Sequence, residues 1–152
     1  MSPTTPLAAQ LENVLDLRKA FPRSPNDLLG PYVILARTID KCRADIAGMA
    51  GEYHWNCGLA QMFFQFKEID PMAFRAQLEA GKSDPDMLAW VEQAGAPKTE
   101  DEILAWGYDC RWATPHNVEK KAYVERSARA IQPYPPYIQT FFQLLDAEEG
   151  RL

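Results

Sequence analysis

The residues of this chain best suited to chemistry lie together from Tyr53 to Cys57. A cysteine acts as a nucleophile when a cation, an imidazolium or a helix N-terminus lowers its pKa. Cys57 precedes an apolar helical pattern that begins near Leu59, so the helix dipole favours its thiolate. His54 would act as base or orienting group, and Tyr53 and Asn56 as hydrogen-bonding residues. The segment predicts a catalytic thiol, with a small buried structural cysteine as the alternative.

A pair of basic residues forms the second candidate site. Arg37 and Lys41 are four residues apart on a predicted helix, so they share a face. Together they predict a binding site for a carboxylate or phosphate group of a small anionic ligand. The alternative is a solvated helix face, on which these cations pair with Asp40 and Asp45 of the same helix.

The possible metal ligands are poorly spaced for a metal site. Structural zinc sites usually show close ligand pairs in two clusters. Here only His54 and Cys57 are close to each other, while Cys42, Cys110 and His116 are scattered. The sequence therefore predicts no metal ligand and identifies no cofactor, although its many carboxylates leave a carboxylate–histidine site open. Three scattered cysteines are expected to be free thiols in a reducing compartment.

Helical patterns must position these residues. Within residues 32–51, Leu35, Ile39 and Cys42 begin an apolar stripe with steps of four and three residues. No segment alternates with period two, so strands are not expected. The sequence predicts an all-α fold, an irregular or orthogonal bundle of about six to eight helices in one domain over 17–152, with an extension at 1–16. Helices are expected over Leu7–Phe21, briefly after Ser24, and from Asp70, Ser83, Thr99, Thr114 and Tyr137.

The overall charge limits the class of partner. The formal net charge is −5 and the sequence pI is about 5.0. Phosphate backbones and anionic lipids both require a basic surface, so neither nucleic acid nor membrane is an expected partner. No apolar run approaches the roughly 20 residues that span a bilayer, and residues 1–10 do not resemble a signal peptide. A cytoplasmic location is therefore expected.

A function without chemistry is the competing hypothesis. Trp106, Tyr108 and Trp112 would form an exposed aromatic surface on a helical module that binds a partner protein. A weaker variant is a homodimer joined through the helix that carries Phe141 and Phe142. Exposure of these side chains distinguishes the hypotheses, because a buried aromatic set offers no surface to a partner.

Several short motifs follow one another along the chain in a fixed order. They are Pro22-Arg23-Ser24-Pro25, Leu29-Gly30, Arg37-x-x-Asp40-Lys41-x-Arg43-Ala44, Gly51-Glu52-Tyr53-His54-x-Asn56-Cys57, Ile69-Asp70, Gly81-Lys82-Ser83-Asp84, Ile103-x-x-Trp106 and Thr140-Phe141-Phe142-x-Leu144-Leu145-Asp146. Together they resemble the bacterial domain-of-unknown-function 5069 family. The resemblance extends from about Leu17 to Glu149 and implies a compact, mostly helical, cytoplasmic bacterial protein, with no activity assigned.

Two positions depart from the pattern of that family. Members often carry Gly-Gly where this chain has Gly30-Pro31, and Cys-Pro-Leu-Asp where it has Cys57-Gly58-Leu59-Ala60. If the aspartate of the family works in a site, Ala60 removes part of it. The resemblance then implies a divergent member whose activity is changed or lost. It also brings the Arg37/Lys41 helix and the 53–57 segment together as the two polar regions that could line one pocket.

Overall fold

The computed structural model describes residues 14–152, and these form seven α-helices and no β-strand. An isolated antiparallel bridge joins Leu29 to Tyr32. The predicted all-α class is confirmed. The helices are α1 (Leu35–Ile46), α2 (Gly58–Lys67), α3 (Pro71–Glu79), α4 (Asp84–Gln93), α5 (Glu100–Arg111), α6 (Val118–Arg129) and α7 (Phe141–Glu148).

Side-chain caps fix the beginnings of α3, α4 and α5 where the sequence predicted them. The Asp70 side chain accepts a hydrogen bond from a backbone N–H in the first turn of α3, and Ser83 does the same for α4. Thr99 and Glu102 form a reciprocal capping box at α5. Each cap satisfies backbone donors that lack a partner within the helix, which is why these residue types mark helix starts.

Two later helices begin further along the chain than predicted. α6 begins at Val118, because the Asn117 side chain accepts from the N–H of Lys120 and takes the capping role expected of Thr114. α7 begins at Phe141 rather than Tyr137, since Thr140 forms a capping box there. In both cases a nearby polar residue with the right backbone geometry is the better cap.

The predicted helices before residue 35 are wrong where the structure describes them. Of Leu7–Phe21, residues 7–13 lie outside the described part of the chain, and 14–21 form a turn rather than a helix. The expected helical turn after Ser24 is absent, because Leu29 and Tyr32 exchange two backbone hydrogen bonds of 3.1 Å. This bridge also delays the long helix predicted within 32–51, so α1 covers only Leu35–Ile46.

Helix α1 lies at the centre of the molecule. Ten consecutive residues, from Leu35 to Ala44, are buried. Its apolar stripe packs into the main hydrophobic core with aromatic rings of α2 and α3, among them Phe63 and Phe74. Because the polar face is buried as well, the charged side chains of α1 must find partners inside the protein.

A second, smaller hydrophobic cluster joins α6 to α7. Val124, Ala128 and Leu144 form its buried centre, with Phe141 packed against it. Phe142, the next residue of α7, belongs to the main core instead. Helix α7 therefore lies at the boundary between the two clusters. Among the described helices, none has the length and apolar character needed to cross a membrane.

Candidate functional site

Three of the four buried charged residues of α1 form ion pairs with distant residues. Arg37 binds Glu149 through two nitrogens, at 2.7 and 2.8 Å, and both side chains are buried. Asp40 receives the Arg23 guanidinium at 2.9 Å. Arg43, the third, lies 2.8 Å from Asp84. Pairing of this kind offsets the cost of removing each charge from water.

Lys41 is the fourth buried charge, and its partner is a sulfur atom. Its Nζ donates a hydrogen bond to Sγ of Cys57 at 3.2 Å. Lys41 is only 6% exposed, and this is the one hydrogen bond of its ammonium within residues 14–152. A buried ammonium is compensated far better by an anion than by a neutral group. The contact therefore favours the thiolate form of Cys57.

The backbone around Cys57 adds to this effect. Cys57 is the N-cap residue of α2, with an extended backbone (φ −88°, ψ 177°) directly before Gly58. Burial acts to raise the pKa of the Cys57 thiol, but the charge of Lys41 and the N–H groups of Ala60 and Leu59 outweigh it and lower that pKa. Neither N–H makes a hydrogen bond of ordinary geometry to the sulfur, so these groups act through their dipoles.

The other two cysteines lack such surroundings. Burial raises the pKa of Cys42 to about 12 and that of Cys110 to about 12, and both are buried free thiols. Cys57 is partly exposed. It is therefore the one cysteine of the three that combines access to solvent with a lowered pKa.

The pKa of the Lys41 ammonium, beside Cys57, is also shifted. Burial lowers the pKa of Lys41, and the charge and hydrogen bond of Cys57 only partly oppose this shift. A lysine with a lowered pKa gives up a proton more readily than an exposed one. The pair therefore places a thiol of lowered pKa 3.2 Å from an ammonium that can donate a proton.

His54 and Asn56, two of the predicted site residues, are not partners of the sulfur. His54 is exposed, and no hydrogen bond joins it to Cys57 in the part of the chain that the structure describes. Asn56 is also exposed, and its Oδ1 accepts a hydrogen bond from Gln61. Their predicted roles as base and amide donor remain predictions, while Lys41 occupies the place expected for the imidazole.

Tyr53 belongs to a neighbouring cluster around Glu149. Its hydroxyl donates to Glu149 Oε2 at 2.8 Å, and its ring lies under the Arg37 guanidinium, with Cζ 5.7 Å from the centroid. Burial, together with Glu149, raises the pKa of Tyr53 to about 12. Arg37 and Tyr53 therefore have partners within the protein, and ligand binding by them stays a prediction.

The alternative interpretation of α1 as a solvated helix face is wrong. Asp40 pairs with Arg23, and Asp45 receives Arg75 at 2.6 Å, so neither forms the expected pair along the helix. Glu149, the partner of Arg37, was not predicted from the sequence, because 112 residues separate the two and no local pattern connects them. In residues 14–152, no group of three or more His, Cys, Asp or Glu side chains is arranged to hold a metal ion.

The fold and the site together define an all-α protein in which a buried lysine contacts a partly exposed cysteine at a helix N-terminus. The family model described as "Domain of unknown function (DUF5069)" matches residues 19–151. The chain belongs to this family, as the sequence motifs indicated. Ala60, where the family pattern often has aspartate, is buried in the first turn of α2. No curated protein matches the chain.

Proposed function

We propose that Cys57 is the nucleophile of an enzyme that transfers or hydrolyses an acyl group. The observation that carries this proposal is the 3.2 Å hydrogen bond from the buried ammonium of Lys41 to the Cys57 sulfur. A thiolate paired in this way reacts with electrophilic carbon at neutral pH, where an ordinary thiol, with a pKa of about 8.5, is mostly protonated.

The pair supplies both parts of such a reaction. The sulfur attacks the carbonyl carbon, an S–C bond forms, and the leaving group departs with the electron pair of its former bond. The Lys41 ammonium donates a proton to that leaving group. Water then attacks the thioester, the acid is released, and the proton of the water returns to Lys41 as the thiolate of Cys57 re-forms.

Substrate binding is assigned to groups other than the buried cations. Arg37 is engaged by Glu149, and Lys41 by Cys57. From the sequence, these two residues were expected to hold a small anionic ligand. In this proposal they pair with residues of the protein instead, and other groups bind the substrate.

Alkylation tests the nucleophile directly. The folded protein is treated with iodoacetamide across a pH series, and labelling is quantified by peptide mass spectrometry. We expect Cys57 to react with a midpoint well below about 8.5, the value of a free thiol. Cys42 and Cys110 serve as internal controls and should react only on unfolding. Labelling of Cys57 that also requires unfolding would refute the proposal.

Turnover tests the reaction. A chromogenic aryl ester should give a burst of product followed by slower hydrolysis, as an acyl-enzyme accumulates. Cys57→Ser should remove the burst, and Cys42→Ser, which changes a buried thiol with a raised pKa, should retain it. A burst that survives in Cys57→Ser would assign the esterase activity to another group.

An exposed stripe on α5 favours a second candidate function. Leu104, Tyr108 and Trp112 are four residues apart and are 53%, 62% and 54% exposed. Trp106, by contrast, stacks on Phe66 with ring centroids 4.6 Å apart and is not available to a partner. The stripe supports a contact between two copies of this chain through α5.

The homodimer predicted through α7 lacks the necessary surface. Phe142 is buried in the main core and Phe141 is partly buried. Light scattering over a concentration series distinguishes these possibilities. A dimer that Trp112→Asp dissociates would support the α5 contact, and a monomer at high concentration would refute it.

A further inference from the structure

A cavity of about 370 Å³ lies between α2, α5, α6 and α7. Its volume falls within the range of small-molecule binding sites. The walls are mostly hydrocarbon, contributed by Leu59, Met62, Phe141, Phe142, Leu144 and Leu145. The Cys110 thiol also faces it, and the raised pKa of that thiol keeps the sulfur uncharged.

The cavity has a structural cause. Phe142 and Cys110 belong to the main core, while Leu144 and Phe141 belong to the smaller cluster between α6 and α7. The two clusters meet along α7 without filling the space between them. Protein interiors are normally close-packed, so an apolar space of this size between two separate clusters is typical of a ligand site.

The cavity begins at the same helix terminus as the nucleophile. Gly58 and Leu59, the first two residues of α2, line it and follow Cys57 directly. Consecutive Cα atoms are only about 3.8 Å apart. Cys57 itself does not line the cavity, so a molecule whose tail fills it reaches the sulfur only with its other end at the N-terminus of α2.

The charges around the cavity narrow the class of ligand. The lining includes no carboxylate, so a cationic ligand has no counterion there. Its polar side chains are Lys120 and Tyr123, which are both exposed. Polar groups thus lie toward solvent and hydrocarbon lies inside, an arrangement that suits an alkyl chain.

We infer that this cavity binds the hydrocarbon tail of the acyl substrate whose carbonyl carbon Cys57 attacks. The inference rests on the proposed function of Cys57 and names its substrate class: esters or thioesters of medium-length alkyl acids. The tail enters between α2 and α7, and the acyl carbon stays at the helix terminus outside the apolar walls.

A chain-length series tests the tail site separately from the nucleophile. Cys57 is labelled with iodoacetamide and with N-alkyl iodoacetamides from methyl to octyl, and rates are compared by peptide mass spectrometry. Burial of one methylene is expected to increase the rate about fourfold until the cavity is full. Octanoate should compete with the long reagents and slow their reaction with Cys57.

Variants place the effect in the cavity. Met62→Trp and Leu145→Trp each fill the cavity from a different helix. In either variant, the hexyl reagent should react no faster than iodoacetamide, so the ratio of the two rates falls to about one. Met72→Trp is the matched control, because Met72 is 60% exposed on α3 and should retain the ratio. Because two variants fill the cavity, the test still gives a result if one of them fails to fold.

The outcomes separate the two proposals. Fast labelling by iodoacetamide with no dependence on chain length overturns the tail site and leaves the nucleophile standing. A chain-length dependence that persists in both filling variants also overturns it. Slow labelling by every reagent overturns the nucleophile and, with it, the substrate class.

Discussion

Replacing Lys41 by methionine tests the electrostatic origin of the Cys57 thiolate. Lys41→Met keeps an unbranched side chain of similar length and removes only the ammonium. Removal of one member of a buried ion pair usually destabilises a protein, because the other charge loses its partner. Here the remaining group is a thiolate, which becomes neutral by taking up a proton. Once the cation is gone, Cys57 is left with burial, which raises its pKa, and with the dipoles of Ala60 and Leu59, which lower it.

The contact geometry sets the size of the effect. Two unit charges 3.2 Å apart interact by about 5 kcal/mol at an effective dielectric constant of 20. Because Cys57 is partly exposed, solvent reduces this to the roughly 1.5–3 kcal/mol of a charge-assisted hydrogen bond. The upper part of that range corresponds to about a hundredfold loss of thiolate at a given pH below the pKa.

The assay is the pH–rate profile of iodoacetamide labelling at Cys57. A thiolate of higher pKa is intrinsically more nucleophilic, with a Brønsted coefficient of about 0.4–0.5, so about half of the logarithmic loss is recovered. Below the pKa of both proteins, Lys41→Met should react roughly tenfold more slowly than the wild type. Above both pKa values it should react roughly tenfold faster, so the two profiles cross.

Profiles that never cross would refute this reasoning. A uniformly slower variant would indicate loss of access or of packing rather than of charge. Lys67→Met is the matched control, since Lys67 is also buried, is 1% exposed, and donates to Ala96 O at 2.9 Å rather than to Cys57. It should lower stability and leave the labelling profile unchanged.

Three further predictions concern stability. Glu149→Gln removes the carboxylate that pairs with buried Arg37 and should lower the free energy of unfolding in urea by about 3–5 kcal/mol. Glu148→Gln changes an exposed carboxylate and should lower it by less than about 0.5 kcal/mol. Burial opposes ionisation of Glu149, but Arg37 outweighs it and lowers the pKa. This stabilisation is complete above the unfolded value of about 4.3 and is lost as pH falls through the lower folded value, so acid titration should bring the wild type and Glu149→Gln closer together. Thr140→Ala, which removes the cap of α7, should cost about 1 kcal/mol in thermal unfolding.

Specific results would contradict these predictions. Equal effects of Glu149→Gln and Glu148→Gln would mean that the buried pair with Arg37 contributes nothing beyond a surface charge. A stability difference between the wild type and Glu149→Gln that grows as the pH falls would mean that folding raises the pKa of Glu149 rather than lowering it. An unchanged melting temperature in Thr140→Ala would show that the capping box does not stabilise α7.

The helical class and most helix starts were predictable because their signals are local. The 4, 3 spacing of Leu35, Ile39 and Cys42 marks the buried stripe of α1, and Ser83 and Thr99 cap the helices that follow them. The prediction of where α1 begins failed because a contact outside the helix decides that limit. The bridge between Leu29 and Tyr32 shortens α1, and nothing in the periodicity of that segment signals it.

The candidate site was predictable only in part, for the same reason. The position of Cys57 before a helix is a local feature, and the sequence identified it. The contact with Lys41 depends on how α1 and α2 pack, so Lys41 was assigned to a ligand and the imidazole of His54 to the sulfur. Proximity along the chain favoured His54, whereas proximity in space favours a lysine 16 residues away.

The pairing of Arg37 with Glu149 has a consequence for the synthesis of the protein. A ribosome adds about 5–20 residues per second, so the 112 residues between the two take about 6 to 22 s to translate. During that interval the guanidinium has no carboxylate to neutralise it, and burial of that side of α1 is unfavourable. Likewise, Ser24 lacks the carboxylate of Asp146 that accepts its hydrogen bond until a further 122 residues have been translated. The nascent chain can form its helices early, but it completes its central packing only when the last turn of α7 has emerged.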